Sequence, residues 1–298
     1  MKFHWMIAAS VFALAACGDG GTPAPADAPV PPAAETAEST DETPARDLAW
    51  AAAGDWRSEA VKARDEWRNP VETLEFFEVE ADETVAEIWP GGGWYTEILG
   101  PYLKEGGGRF VAVGFDPERS EFAANAMARY EESYVSRPDV FGDIMVTAYT
   151  SETPPFAEDN SIDTILTFRN VHNWMAGGHE TKFFSEAYAA LKPGGVLGVV
   201  EHRLPSTEEQ DPQARTGYVH EDYVKTLATN AGFEFAGASE VNANPADTAD
   251  HPFGVWTLPP VSRTAPRDGE APEGFDPAPY LEIGESDRMT LKFVKPAE

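Results

Sequence analysis

The sequence predicts an α/β protein with a Rossmann-like, doubly wound sheet of seven strands, mostly parallel, whose last strand is antiparallel. Three observations carry that prediction. Short apolar runs alternate with segments of helical spacing, and strands that alternate with helices require a parallel sheet covered on both faces. One such run, Val85-Ala86-Glu87-Ile88-Trp89, passes through Pro90 into Gly91, Gly92 and Gly93, and then into a helical pattern of Tyr95, Ile98, Leu99 and Tyr102. Strand, glycine turn and helix N-terminus together form a site for an anionic or polar ligand, through unpaired N–H groups and the helix dipole. Finally, 298 residues with 42% apolar content can bury a substantial core in one good-sized domain with accessories.

Taken in order, Asp55 caps an expected helix over residues 56–68, with Trp56, Ala60, Ala63 and Trp67 on one face. A second short helix follows Pro70. These helices precede the first strand, where they either cover the ligand cleft or pack on the sheet edge. After the glycine turn, Gly106-Gly107-Gly108 end the helix and residues 109–113 form the second strand. Asp116-Pro117 start a helix through Phe122, Ala126 and Tyr130, and residues 144–148 make a third strand. Residues 162–168 are the fourth strand and 181–191 a helix stopped by Lys192-Pro193-Gly194-Gly195. Residues 196–200, 233–241 and 289–294 complete the strands, with a helix over 221–231 closed by Gly232. The Pro- and Gly-rich run 244–284 is long for an irregular segment inside a domain, which makes it lid-like or peripheral. In open α/β sheets the ligand binds beyond the carboxyl ends of the strands.

The N-terminus sets the expected compartment. Lys2 supplies positive charge, residues 7–16 are apolar but too few to span a bilayer, and small residues precede Cys17. Leu14-Ala15-Ala16-Cys17 resembles the lipobox of bacterial lipoproteins, which implies a signal peptide over 1–17 and a lipid-anchored Cys17 facing the periplasm. Cys17 is the sole cysteine, so no intramolecular disulfide forms. Residues 18–46 are rich in Pro, Ala, Thr, Glu and Asp with almost no large apolar side chain, the composition of a disordered tether, and residues 47–298 form the folded domain. The formal charge of −29 repels phosphate backbones, so nucleic acid is not an expected partner; the lipid is the only expected membrane contact.

The order Glu87-x-x-x-Gly91-Gly92-Gly93, Pro155-Phe156 with Asn160-Ser161-Ile162-Asp163, then Leu191-Lys192-Pro193-Gly194-Gly195 resembles the class I S-adenosylmethionine-dependent methyltransferases. Trp89-Pro90-Gly91-Gly92-Gly93-Trp94-Tyr95-Thr96, Phe168-Arg169-Asn170-Val171-His172-Asn173-Trp174 and Asp287-Arg288-Met289-Thr290-Leu291-Lys292-Phe293 further resemble a bacterial family of predicted methyltransferases, many of them exported. The resemblance implies S-adenosyl-L-methionine as cofactor and a small-molecule acceptor. It places Glu87, Gly91, Gly92 and Gly93 at the methionine part, Asp116 at the ribose, Thr150 and Ser151 at the adenine, and Asn170 beside the cofactor. Trp89 stands where that pattern has its first glycine, and Gly114 where an acid commonly ends the second strand.

Arg169, Asn170, His172, Asn173 and Trp174 form a polar and aromatic group at the end of the fourth strand, where the resemblance places residues facing the methyl group. His172 is a candidate general base, with a hydrogen-bonded structural role as the alternative. Glu201 and His202, at the end of the fifth strand, and Arg169 and Asn173 complete the catalytic candidates. His220 is read as a helix start, and His251 to Trp256 as either a lid or a pinned surface loop. No metal is expected, because the histidines come from separate loops without ligand spacing. Two further functions stay open beside methyl transfer: a non-catalytic lipoprotein that keeps the fold to bind a small polar ligand, and an envelope enzyme that uses the histidines with a metal.

Overall fold

A computed structural model describes residues 46–297. The expected leader, the Cys17 anchor and tether positions 18–45 lie outside those residues. In chain order the elements are α1 (Leu48–Ala52), α2 (Glu59–Lys62), α3 (Asp65–Arg68), α4 (Pro70–Phe76), β1 (Thr84–Ile88), α5 (Thr96–Gly106), β2 (Arg109–Gly114) and α6 (Glu121–Tyr130). A π-helical turn (Glu131–Val135), α7 (Pro138–Phe141), β3 (Met145–Ala148), β4 (Ile162–Phe168), α8 (Val171–Gly177) and α9 (Glu180–Ala190) follow. The chain closes with β5 (Leu191–His202), α10 (Glu221–Ala231), β6 (Glu234–Ser239), β7 (Pro252–Val255), α11 (Ala278–Ile283) and β8 (Arg288–Val294).

Seven of these strands make one sheet in the order β3-β2-β1-β4-β5-β8-β6. Strands β1 to β5 run parallel, and β8 inserts antiparallel between β5 and β6. The expected doubly wound sheet with an antiparallel last strand is thus the observed one. Alternation along the strands sorts side chains into two layers. Ala86, Ile88, Val111, Val113, Ile165, Leu197 and Val199 pack with Trp174, Phe183 and Phe184 on one face. Val85, Phe110, Ala112 and Leu166 pack with Leu74, Phe77, Ile98 and Leu99 on the other.

Several expected boundaries move, each for a local reason. Residues 56–68 hold two four-residue helices, and the cap is Ser58, whose Oγ accepts from the Val61 N–H at 3.3 Å, instead of Asp55. Asp116 does not start α6; its Oδ1 accepts from the Glu118 N–H at 3.0 Å in an Asx turn, and Ser120 caps the helix. β5 begins five residues before the expected 196, because the Gly194 N–H donates to Lys295 O and the Lys295 N–H to Gly195 O. Helices α1, α7, α8 and α11, the π-helical turn and β7 were not anticipated. They are short, and their apolar contacts are tertiary and leave no extended periodic pattern.

The long run 244–284 is placed by topology. β6 ends, and β8 begins, at the edge of the sheet where the parallel strands have their carboxyl ends. The connecting chain therefore stays at that edge, above the site.

Candidate active site

Beyond the carboxyl ends of β1, β2, β4 and β5 lies a cavity of about 730 Å³, within the range of roughly 300–1,000 Å³ usual for small-molecule sites. Its floor begins with the glycine loop. Gly91 and Gly93 have φ of 61° and 80°, a left-handed backbone that glycine adopts without strain. A Cβ at Gly91 or Gly92 would meet nothing within 4 Å, so the loop opens onto free space. Gly93 differs: a Cβ there would lie 2.2 Å from the Tyr134 ring. The π-helical turn delivers that tyrosine, whose hydroxyl donates to Gly92 O at 2.7 Å and to Glu97 Oε1 at 3.2 Å. Tyr134 has no sequence signal, because the extra residue of a π-turn breaks the 3.6-residue period.

Beneath the loop, Glu87 is buried and accepts from Thr96 Oγ1 at 3.4 Å. Burial pushes its carboxyl up to about 8, against the Thr96 hydrogen bond and the nearby Arg169 and Arg68 cations. At neutral pH Glu87 is therefore largely protonated, and a ligand ammonium beside it would draw the proton off.

Trp89 takes the left-handed conformation of the glycine it replaces, at φ 49°, which costs about 1–2 kcal/mol for a residue with a side chain. Its indole N–H donates to Tyr149 O at 3.0 Å, and its ring packs at 5.0 Å from Phe115 and 5.8 Å from Trp174. The ring thus closes the space between the ends of β1 and β3 and forms one wall of the cavity. At Gly114 a Cβ would lie 2.4 Å from Met127 Sδ, so any larger residue there requires the flexible end of that methionine to move aside.

The opposite side carries the polar group. Arg169 also has a left-handed backbone, φ 63°, where β4 bends away from the sheet, and its N–H donates to Val200 O at 2.7 Å. Asn170 donates Nδ2 to Ile88 O at 2.8 Å and to Thr167 Oγ1 at 3.2 Å. That amide ties the ends of β1 and β4 together, leaving only its oxygen for a ligand. His172, on the first turn of α8, is joined to Glu201 on β5 by a 2.9 Å Nδ1–Oε1 hydrogen bond. Glu201 is fully buried and also accepts the N–H groups of His172 at 3.2 Å and His202 at 2.8 Å. A carboxylate accepting at Nδ1 fixes the tautomer with Nδ1 protonated and Nε2 bearing the lone pair. His172 borders the cavity; Glu201 stands behind it.

Burial holds His202 well below the usual imidazole range, and the neighbouring His172, Arg169, Arg288 and Arg68 act in the same direction. Its Nδ1 meets Ser286 Oγ at 2.6 Å. His172, Glu201 and His202 bring ligand-type atoms within 4.8 Å of one another, which their spacing in the sequence did not foretell. Glu201 is occupied by three donors and three arginines stand around His202, so the charge there opposes a dication. Glu201 is the shared acceptor of the trio, through the His172 ring and the N–H groups of both histidines.

Of the other expected residues, exposed Asn173 lines the cavity, whereas Asp116, Thr150 and Ser151 do not. Thr150 folds into a turn with Thr153, and Glu152 pairs with Arg119. His220 is held by Gln210 and Pro205 away from the site. His251 pairs with Asp247 at 2.7 Å, which also accepts from Tyr218, and this network pins the long run while Trp256 reaches the cavity. Val61, Arg64 and Arg68 of the early helices line the cavity, as do Val255 and Trp256 of the long run.

Residues 87–199 match the family described as a methyltransferase domain. This stretch, from within β1 to within β5, contains the glycine loop, the Arg169–Asn173 group and most of the parallel sheet. No curated protein matches the chain. Among solved structures, the [4+2]-cyclase SpnF superposes with a TM-score of 0.52 at 14% identity, covering 83% of this chain and 86% of that one. A putative sarcosine dimethylglycine methyltransferase from Galdieria sulphuraria gives 0.50 at 17%, covering 80% and 91%. A SAM-dependent methyltransferase from Aquifex aeolicus gives 0.48 at 21%, covering 60% and 87%. At these identities the likeness is one of fold.

Proposed function

We propose that this chain is an S-adenosylmethionine-dependent methyltransferase that acts on a small molecule in the cell envelope, anchored by lipid on Cys17. One observation carries the reading: a single cavity has the glycine loop on one side and the His172–Glu201 pair on the other. The match of residues 87–199 to a methyltransferase domain supports it.

The residues present fit the methionine part of the cofactor. The open space over Gly91 and Gly92 is a cradle that any side chain would fill, and α5 turns its N-terminus toward it. Glu87, protonated when alone, accepts an ammonium once one displaces its proton. When bound, the cofactor supplies an electrophilic methyl group. Transfer to a nucleophile needs alignment above all. An acceptor bearing O–H or N–H must also lose a proton, and His172 Nε2 takes it. Glu201 holds the imidazole in the required tautomer and stabilises the imidazolium that forms. The N-terminal helices and the Trp256 segment both line the cavity.

Trp89 favours a second reading, a ligand-binding lipoprotein without turnover, because its ring narrows the loop where the pattern has a glycine. Calorimetry of the full chain with S-adenosylmethionine and S-adenosylhomocysteine separates the two, followed by methyl transfer from labelled cofactor across a small-molecule panel. Binding with turnover is the expected result. No heat at millimolar ligand refutes the cofactor, and binding without any turnover favours the second reading. A Cys17→Ser chain is expected to lose palmitate label; retained label refutes the anchor.

A further inference from the structure

In a chain of formal charge −29, five arginines border the cavity: Arg64, Arg68, Arg169, Arg267 and Arg288. The carboxylates on the same wall are Glu87 and Glu97, and burial raises the pKa of both. Glu285 alone neutralises the inner arginines, pairing with Arg64 at 2.6 Å, with Arg68 at 3.1 Å and with Arg288. Three donors remain over. Arg68 Nη2 and Arg288 Nε are buried without a partner, on side chains only 4% and 3% exposed. The Arg169 guanidinium, half-buried at the cavity wall, has no hydrogen bond or ion pair among the described residues.

Buried cations that outnumber their carboxylate are costly, and a ligand anion would supply the missing charge. Burial and the neighbouring arginines push Arg68 down to about 8 and Arg169 down to about 10, the signature of cations crowded against one another. The left-handed backbone at Arg169 aims its side chain away from β4 at a further cost. A guanidinium offers a planar fork of donors that matches an oxyanion in two bonds.

We infer that Arg68, Arg169 and Arg288 form a subsite for an oxyanion, carboxylate or phosphate, carried by the methyl acceptor. Arg68 and Arg169 also stand near Glu87, and the anion is assigned to the acceptor because two of the three arginines flank the strands that carry the base. Arg169 follows β4, and Arg288 pairs in register with His202 of β5, so both stand on the side of the His172–Glu201 base. The glycine loop and the α5 N-terminus belong to β1, one strand away, and serve the cofactor there. An acceptor held by its anion beside His172 would turn a protic O–H or N–H toward Nε2. Naming the anion as the acceptor's rests on the methyltransferase reading; the anion site itself does not.

The test uses the full chain in low-chloride buffer, with sodium benzoate and inorganic phosphate as probes and neutral benzamide as control, read by tryptophan fluorescence and calorimetry. At least one anion is expected to bind, with benzamide inert, and which of the two binds tells carboxylate from phosphate. Arg169→Gln is expected to weaken binding at least about tenfold, as for loss of a charge-assisted pair. Arg169→Lys, which keeps the charge and loses the fork, should fall between. Thermal melts confirm that both variants fold; if they do not, Arg288→Lys takes their place. Saturating S-adenosylhomocysteine should leave anion binding intact. No anion binding, or equal affinity in Arg169→Gln, overturns the site. Displacement by S-adenosylhomocysteine but not by 5′-methylthioadenosine, which lacks the amino-acid part, overturns the acceptor assignment. Anion binding in a chain that ignores S-adenosylhomocysteine upholds the site and removes the methyl-transfer reading instead.

Discussion

Replacing Glu285 by Gln keeps shape and removes one charge, and the structure fixes how the effect must vary with pH. Burial works to raise the Glu285 carboxyl, but Arg288, Arg68 and Arg64 together outweigh it and hold it at about 2, against an ordinary 4.5. A carboxyl depressed in the folded state adds stability that is present above its unfolded value and lost as pH falls toward the folded one. The interval is about 2.5 units, which at about 1.36 kcal/mol per unit gives about 3 kcal/mol at pH 7. The same linkage leaves about 2 kcal/mol at pH 3.5 and almost nothing near pH 2. The pH 7 figure agrees with the roughly 3–5 kcal/mol seen when one partner of a buried pair is removed. Urea unfolding of both proteins, followed by tryptophan emission at pH 7 and at pH 3.5, measures it. A penalty below about 1 kcal/mol at pH 7, or one that does not shrink in acid, would refute the view that this carboxylate neutralises the buried arginines.

Other consequences are as direct. Glu87→Gln should stabilise the ligand-free protein, because a carboxyl raised to about 8 makes the fold lose stability as pH climbs from 4.5 through 8; the melting temperature should rise by at least about 3 °C at pH 8 and barely move at pH 5. Gly93→Ala combines a left-handed φ with a collision on Tyr134, so a loss of about 2–3 kcal/mol in denaturant unfolding is expected, against about 1 for Tyr134→Phe, which loses the hydroxyl's contacts with Gly92 O and Glu97 and leaves the ring in place. With an acceptor in hand, His172→Asn should lower kcat about 10²- to 10⁴-fold, while S-adenosylhomocysteine affinity stays put.

Much of this was legible in the residues. The glycine loop, β4 and α10 fall where apolar periodicity and punctuation place them, and Arg169, Asn170, His172 and Asn173 stand at the cavity as their position after the fourth strand implies, while Trp174 turns into the core. What the sequence hides is pairing across long separations. Arg68 meets Glu285 only across 217 residues of chain. Glu201 and His172 become a dyad only because β4 and β5 are neighbours. Asp116 and Thr150 misled for the opposite reason. Local turns absorb their polar atoms, and nothing in spacing tells a turn cap from a ligand contact.

The clasp at Glu285 also has a bearing on when the site comes into being. The near wall of the cavity is made by α2 and α3, among the first described residues, and the far side by the segment that ends at β8. Arg64 and Glu285, which lock the two together, are 221 residues apart. Contacts of such separation form late, since the loop they close must be ordered first. During synthesis the glycine loop, β4 and the His172–Glu201 pair can all be in place while the arginines still lack their carboxylate. The cavity gains its full set of lining residues only when the last strand has emerged, so an incomplete chain exposes its binding residues without the charge balance that Glu285 provides.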